Sequence, residues 1–156
     1  MMKKALIMMA VAAVITVLTA CNPTKELEAN SLEINYTTLR NYFVNNYVDV
    51  SKEQHLYINS EEEFFNYFGH AAYMGNGGQP TQVNFKQQFV VAIVLPETNR
   101  ETALNITDVR RNGDTIIIYY RENRGEKTSY TMVPWAAVAL DKPTDARDFR
   151  FLYRKQ

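Results

Sequence analysis

The sequence predicts a mainly β (α+β) domain, an antiparallel β-sandwich or open barrel of about 6–8 strands with one packed amphipathic helix. Three observations lead to this prediction. Short runs rich in Val, Ile, Tyr, Phe and Thr recur along the chain. Gly, Asn and Pro separate these runs at short intervals. Apolar residues at helical spacing occur in one segment only, near residues 60–73.

The first half of the domain contains short predicted strands. Strand-forming residues occupy Ile34 to Leu39, and Asn45-Asn46 predicts a turn after them. Tyr47 to Val50 and Gln54 to Ile58 are two further short predicted strands.

The single predicted helix runs from about Ser60 to Tyr73. Ser60 and Glu63 form a capping-box pattern, and three acidic residues fill the first turn. Aromatic residues then follow at helical spacing, which indicates one buried face. Gly69 is a candidate early end of this helix.

The second half is predicted to consist of strands and turns. Phe89 to Leu95 is a continuous apolar run closed by Pro96, which is typical of a buried central strand. Asn112-Gly113 predicts a hairpin turn, and Asn123-Arg124-Gly125 a second turn. The predicted strands around these turns are Thr102–Arg111, Thr115–Arg121, Lys127–Val133, Trp135–Leu140 and Phe149–Tyr153.

The N-terminus predicts a secreted protein. Lys3 and Lys4 precede an apolar run that ends in small residues, a pattern typical of a secretory signal peptide. The run is too short for a membrane span of roughly 20 residues. Leu18-Thr19-Ala20-Cys21 resembles the bacterial lipobox, a resemblance that implies cleavage before Cys21 and acylation of its sulfur. Cys21 is therefore predicted to anchor the protein in a membrane.

Three regions follow from this prediction. Residues 1–20 are a lipoprotein signal peptide, 21–33 a flexible lipid tether, and 34–156 a single β-rich domain. The expected location is the cell envelope, in the outer membrane of a Gram-negative bacterium, facing the periplasm or the cell surface. Without Lys3 and Lys4 the chain keeps 15 of its 17 basic residues against 17 acidic ones, a net charge of −2. That charge does not favour nucleic acid as a partner.

No catalytic or metal-binding pattern stands out. His55 and His70 have neither metal-ligand spacing nor a nucleophile-elbow motif around them, so structural or surface roles are expected for both. Glu61-Glu62 lies at a helix start, where the helix dipole favours acidic residues. The sequence therefore predicts no enzyme activity and no cofactor. Tyr36, Tyr42 and Tyr47 lie among polar residues, where partial exposure would suit contacts with a sugar or a protein.

One resemblance extends over about half of the chain. Ser60-Glu61-Glu62-Glu63-Phe64, Pro80 to Phe85, Phe89 to Val94 and Ser129 to Pro134 follow one another in an order similar to the C-terminal domain of PrcB-type protease-complex subunits. The turn that follows the apolar strand in that family differs here, since it reads Glu97 to Thr102. The resemblance implies a non-enzymatic envelope protein that binds a protease as an inhibitor or assembly subunit.

Three predicted loops are candidates for such binding, because loops on a rigid scaffold commonly carry recognition. They are Met74 to Pro80, Pro96 to Arg100 and Arg121 to Gly125. Their candidate binding residues are Gly75, Asn76, Gly77, Gly78, Glu97, Asn99, Arg100, Arg121 and Arg124. The expected function is protease binding or inhibition at a membrane. A structural, assembly or ligand-binding accessory lipoprotein is the alternative, and for the glycine-rich loop a plain connection is the alternative.

Overall fold

The computed structural model describes residues 23–71, 77–144 and 148–156. Cys21, Gly75 and Asn76 lie outside these ranges. In the described residues, two helices and ten strands follow in the order α1 (Pro23–Ala29), β1 (Leu32–Glu33), β2 (Tyr36–Thr38), β3 (Tyr42–Val44), β4 (Gln54–Ile58), α2 (Glu61–Tyr67), β5 (Phe68–His70), β6 (Gln88–Val94), β7 (Thr98–Asn112), β8 (Thr115–Met132), β9 (Trp135–Asp141) and β10 (Arg150–Lys155).

The strands form two four-stranded sheets and a two-stranded one, which confirms the mainly β fold class. The first sheet has the order β1-β7-β8-β10, the second β2-β9-β6-β4, and the third pairs β3 with β5. Neighbouring strands are antiparallel except β8 and β10, which are parallel. The strand number exceeds the prediction because short segments, such as β1, β3 and β5, also form ladders.

The second sheet lies in the middle of the protein, with a hydrophobic core on each face. On one face, Val90 and Val94 of β6 share a core with Phe64 and Phe68. On the other, Val91 of β6 belongs to a core that includes residues of the first sheet. Burial on both faces explains why the predicted central strand reads as an unbroken apolar run.

A long hairpin links the first and second sheets. β6 pairs with β9 and β7 pairs with β8, so both arms of the hairpin bend where one ladder ends and the other begins. At this bend, Leu95 N–H donates to Pro134 O over 2.8 Å. The hairpin turn is Gly113-Asp114, one residue later than predicted, with φ 58° at Gly113. Glycine suits this position because it has no Cβ to oppose positive φ.

The predicted turn at Asn123-Arg124-Gly125 is wrong. Strand β8 runs through it without a break, and β7 begins at Thr98 inside the predicted loop Pro96 to Arg100. The register of the β7–β8 pair shifts near Gly125, between Arg100↔Lys127 and Thr102↔Arg124. The extra residues are therefore accommodated as strand irregularities, and pairing with β7 resumes on either side of them.

Helix α2 is shorter than predicted. Ser60 caps it as expected, because Ser60 Oγ accepts a hydrogen bond from Glu63 N–H over 3.2 Å. The helix ends at Tyr67, where Phe68 turns to extended backbone and pairs with Val44 of β3. Tertiary pairing of residues 68–70 thus overrides the helical spacing of the aromatic residues.

The segment predicted as a flexible tether is folded from residue 23 onward. Asn112 Nδ2 donates to Leu27 O over 3.0 Å, and Arg154 pairs with Glu28, so α1 contacts the first sheet. Leu32 of β1 is opposite Arg111 of β7. The predicted strand Ile34 to Leu39 narrows to β2, and Tyr47 to Val50 forms no strand.

Candidate functional site

A groove of about 560 Å³ opens between the first and second sheets. One wall is the segment that follows β2, and the other is the middle of β7. The first residues of β9 form the floor. The lining residues are Thr38, Leu39, Arg40, Asn41, Leu104, Asn105, Ile106, Trp135, Ala136 and Ala137. Arg40 is the one ionisable side chain among them, so the groove suits binding better than acid–base chemistry.

Asn41 attaches the glycine-rich loop to the rim of this groove. Its φ is 63°, a left-handed conformation that Asn tolerates better than most residues. Its Nδ2 donates to Gln79 O over 3.0 Å and lies 3.5 Å from Gly77 O. Its own carbonyl accepts from Ala71 N–H over 3.0 Å. One side chain therefore fixes the described end of the loop.

Thr81 holds the same loop from the other side. Arg40 N–H donates to Thr81 Oγ1 over 3.1 Å, and Thr81 N–H donates back to Arg40 O over 3.2 Å. Tyr42 OH donates to Thr81 O over 2.8 Å. The rim next to Arg40 is thus held by backbone contacts, while the Arg40 residue itself is exposed.

The predicted site residues Gly77 and Gly78 lie in this loop. Gly77 is exposed and has φ 95°, a backbone conformation that residues with a Cβ rarely adopt. Nothing would contact a Cβ built at Gly77 within 4 Å, so the backbone there faces open space. An approaching ligand can therefore reach the main chain directly.

Glu97, Asn99 and Arg100 lie together on the part of the β7–β8 hairpin farthest from its turn. Thr131 Oγ1 donates to Glu97 Oε1 over 2.8 Å, and Thr128 Oγ1 donates to Asn99 O over 3.1 Å. Arg100 Nη1 donates to the carbonyl of Gly125 over 3.1 Å. These three residues support the irregular part of β8 through local contacts.

Arg121 and Arg124 belong to the facing strand. Arg121 is exposed and pairs in register with Asn105, one of the groove residues. Arg124 contacts Glu122, whose side chain is only 4% exposed and which also contacts Lys155. The hydrogen bond from Lys155 is the main cause that lowers the pKa of Glu122. Two of the predicted loops, Pro96 to Arg100 and Arg121 to Gly125, thus belong largely to the paired strands β7 and β8. This two-stranded ribbon adjoins the groove at Asn105.

A second group of polar residues surrounds His55, for which the sequence predicted only a structural or surface role. His55 Nε2 lies 2.8 Å from Glu53 Oε1, and the His55 ring stacks on Tyr153 with centroids 3.8 Å apart. Tyr120 OH donates to the same Glu53 oxygen over 3.1 Å. Burial, followed by this hydrogen bond, raises the pKa of Tyr120 to about 12. His55, Tyr120 and Tyr153 come from β4, β8 and β10, and Glu53 directly precedes β4, so no spacing in the sequence predicts this group.

The remaining polar candidates are dispersed. His70 lies in the third sheet, with ring contacts to Tyr42 at 5.3 Å and Phe65 at 5.2 Å. His55, by contrast, is exposed and lies on β4 of the second sheet, where its ring stacks on Tyr153. In the described ranges, no group of three or more His, Cys, Asp and Glu is arranged to hold a metal ion.

The three tyrosines singled out by the sequence differ in exposure. Tyr42 is buried, at 8% exposure, which corrects the expectation of partial exposure. Tyr36 is partly buried, and Tyr47 is 75% exposed. Tyr47 contributes to a cleft of about 490 Å³, together with Val48, Asp49, Lys52, Gln54, Glu63, Asn66 and Tyr67.

No protein-family model, no curated protein and no solved structure matches the chain. Within residues 23–71, 77–144 and 148–156, no helix is both long and apolar enough to cross a membrane. The lipobox and the partial resemblance to protease-complex subunits remain predictions from the sequence.

Proposed function

We propose that this chain is a lipid-anchored cell-envelope protein that binds a protease and acts on it as an inhibitor-like, non-catalytic partner. The groove beside the glycine-rich loop is the observation that carries this proposal. Its walls are held by backbone hydrogen bonds, and its floor combines Trp135 with small apolar residues. A rigid, partly apolar groove with polar groups on its rim suits the recognition of a polypeptide.

The chemistry of the groove supports binding rather than turnover. Its lining contains neither a carboxylate nor an imidazole, and Thr38 is the one side chain with a hydroxyl group. A hydroxyl nucleophile requires a neighbouring base to activate it. The lipid anchor predicted at Cys21 would hold the domain at the membrane, where envelope proteases act.

The test is a capture experiment with the full-length chain, purified in mild detergent and immobilised. It is exposed to solubilised envelope and culture supernatant, and the retained proteins are identified by mass spectrometry. A fluorogenic protease assay is run on the same fractions. We expect a retained protease whose activity falls as the chain is titrated, and weaker retention by a Gly77→Ala/Gly78→Ala variant.

Lys86→Ala provides the control, because Lys86 is exposed and does not line the groove. Equal retention of the protease by both variants would remove the glycine-rich loop from the proposal. Failure to retain or inhibit any protease would overturn the protease-binding function.

An accessory role in binding another ligand is the second candidate, and the cleft at Tyr47 favours it. An exposed tyrosine beside Asn66, Glu63 and Lys52 offers a ring to stack on and polar groups to hydrogen-bond. Asn45 Nδ2 donates to Tyr47 OH over 2.9 Å and so orients that ring. Retention of glycan-handling or outer-membrane proteins, with protease activity unchanged, would favour this function.

A further inference from the structure

The wall of the groove formed by β7 is a strand edge that has no hydrogen-bonded partner strand over most of its length. On one side β7 pairs with β8 along the whole strand. On the other side, β1 pairs only with Arg110 and Arg111, and Ile34 N–H donates to Val109 O over 3.0 Å. In the described part of the chain, no strand pairs with this edge from Thr98 to Asp108.

A regular stretch of this edge lies at the groove. Register shifts occur between Arg100 and Thr102 and between Ile106 and Asp108. From Thr102 to Ile106 the ladder with β8 is unbroken, which leaves a regular template beside Leu104 and Ile106. An unpaired edge of this kind presents backbone donors and acceptors that can pair with another strand.

The floor of the groove, formed by β9, offers a much shorter edge. β2 pairs with β9 at Val138, Ala139 and Leu140, and Leu39 N–H donates to Ala137 O over 2.9 Å. Only Trp135 and Ala136 of β9 extend beyond that contact. A segment that enters the groove therefore has its longer backbone template on β7.

We propose that the groove receives an extended segment of a partner polypeptide, which adds to Thr102–Ile106 as an antiparallel strand. This inference rests on the proposed function and specifies how the partner is recognised. β1 already follows the same edge in the antiparallel direction and leaves it at Ile34. The added strand continues that course, as in other complexes that extend a sheet edge.

The side chains of the groove define the segment that fits. Residues of an added strand alternate between two faces, and those on the inner face meet Leu104, Ile106 and Ala136. Every second residue of the partner is therefore apolar. Arg40 contributes a positive charge to the rim, and no carboxylate lines the groove. An acidic residue at the end of the segment near Arg40 complements that charge.

The probe is a synthetic peptide of about ten residues with alternating valine and threonine and one terminal glutamate. Its binding to the full-length chain is measured by fluorescence anisotropy. A peptide of the same composition in scrambled order is the reference. Two further peptides are N-methylated, each at alternate amides, so that each lacks donors on one edge only.

We expect the alternating peptide to bind at least about tenfold more tightly than the scrambled one. One N-methylated peptide loses binding and the other keeps it, because only one edge of an added strand faces β7. Amide hydrogen exchange within Thr102–Ile106 slows on binding. Equal binding by both methylated peptides, or no added protection in this stretch, would overturn the inference.

Two phenylalanine variants distinguish the groove from an exposed position outside it. Ala136→Phe places a ring in the groove and is expected to weaken peptide binding about tenfold. Ser129→Phe adds the same ring at an exposed β8 position that neither lines the groove nor belongs to Thr102–Ile106, and leaves affinity within about twofold. Thermal unfolding of both variants confirms that they fold.

The same variants distinguish failure of this inference from failure of the proposed function. Suppose that a captured protease binds Ala136→Phe as tightly as wild type but does not bind the Gly77→Ala/Gly78→Ala variant. Protease binding then stands, and strand addition at β7 fails. If no protease is captured but the peptide binds as expected, strand addition stands and the protease function fails.

Discussion

Gly69 of β5 leaves room for the Phe43 ring of β3, the strand with which it pairs in the third sheet. A Cβ built at Gly69 would lie 2.6 Å from Phe43 Cζ and 2.9 Å from Asn45 Oδ1, too close for either contact to persist. The Phe43 ring and the Asn45 side chain, which bonds Phe65 O and Tyr47 OH, must then move. We expect Gly69→Ala to lower the free energy of unfolding by about 1 kcal/mol, measured by urea denaturation.

A double-mutant cycle with Phe43→Ala tests the cause of that loss. Most of the cost of Gly69→Ala should disappear when the Phe43 ring is absent, because the nearest obstacle has gone. An unchanged cost in the Phe43→Ala background would show that the ring is not responsible.

Ser60 shows how one side chain sets the start of a short element. Its Oγ accepts from Glu63 N–H, and Glu63 Oε2 accepts from Asn59 N–H over 3.1 Å. Ser60→Ala leaves a backbone donor of α2 without this partner. We expect a loss of about 1 kcal/mol in the free energy of unfolding. We also expect amide hydrogen exchange to become faster first in α2.

Ser129→Ala is the matched control for this cap. Ser129 lies exposed on β8, and its substitution should change stability by less than about 0.5 kcal/mol. Equal losses from the two variants would contradict a capping role for Ser60.

Elements with strong local signals were predicted well. β4 coincides with its predicted range, the unbroken apolar run became β6, and Ser60 starts α2. In each case the signal depends on neighbours in sequence: alternation, continuous burial or a capping side chain. The Gly113 turn was missed by one residue, because Asn112 and Thr115 pair and leave Gly113-Asp114 as the loop.

Elements decided by long-range pairing were predicted poorly. Phe68–His70 has helical spacing but pairs with β3. Asn123-Arg124-Gly125 has the composition of a turn, but Asn123 and Arg124 pair with β7. The groove has the same origin, since Arg40, Asn105 and Trp135 are distant in sequence and meet only through the sheets. Local propensity is too weak to predict such contacts.

The C-terminal strand completes the first sheet and connects distant parts of the protein. β10 pairs in parallel with the first part of β8, from Arg150↔Thr115 to Lys155↔Tyr120. Its aromatic side chains also reach the second sheet, since Tyr153 stacks on His55 and Phe151 contacts Tyr57 at 5.3 Å. Parallel pairing requires a long connection, which the chain provides through β9.

Glu122 of β8 contacts β10, so its charge affects how firmly β10 is held in the first sheet. The stability of the protein at acid pH should therefore depend on this residue. Its carboxylate is nearly buried and contacts Lys155 of β10 and Arg124 of β8. The hydrogen bond from Lys155, with a further one from Arg124, lowers the pKa of Glu122 in the folded chain. The folded state therefore favours the charged form relative to the unfolded chain.

The sign of the pH dependence follows from that lowered pKa. Stabilisation by Glu122 is fully present above the ordinary carboxyl pKa of about 4.3, and it is lost as the pH falls through the folded-state value. We expect Glu122→Gln to lower the free energy of unfolding at pH 7 by about 1–2 kcal/mol, since both cationic partners remain partly solvated. The difference between wild type and variant should shrink toward acid pH in urea titrations. Glu126→Gln, at an exposed position on the same strand, should show neither effect. A constant difference from pH 7 down to acid pH would instead mean that Glu122 acts through packing rather than charge.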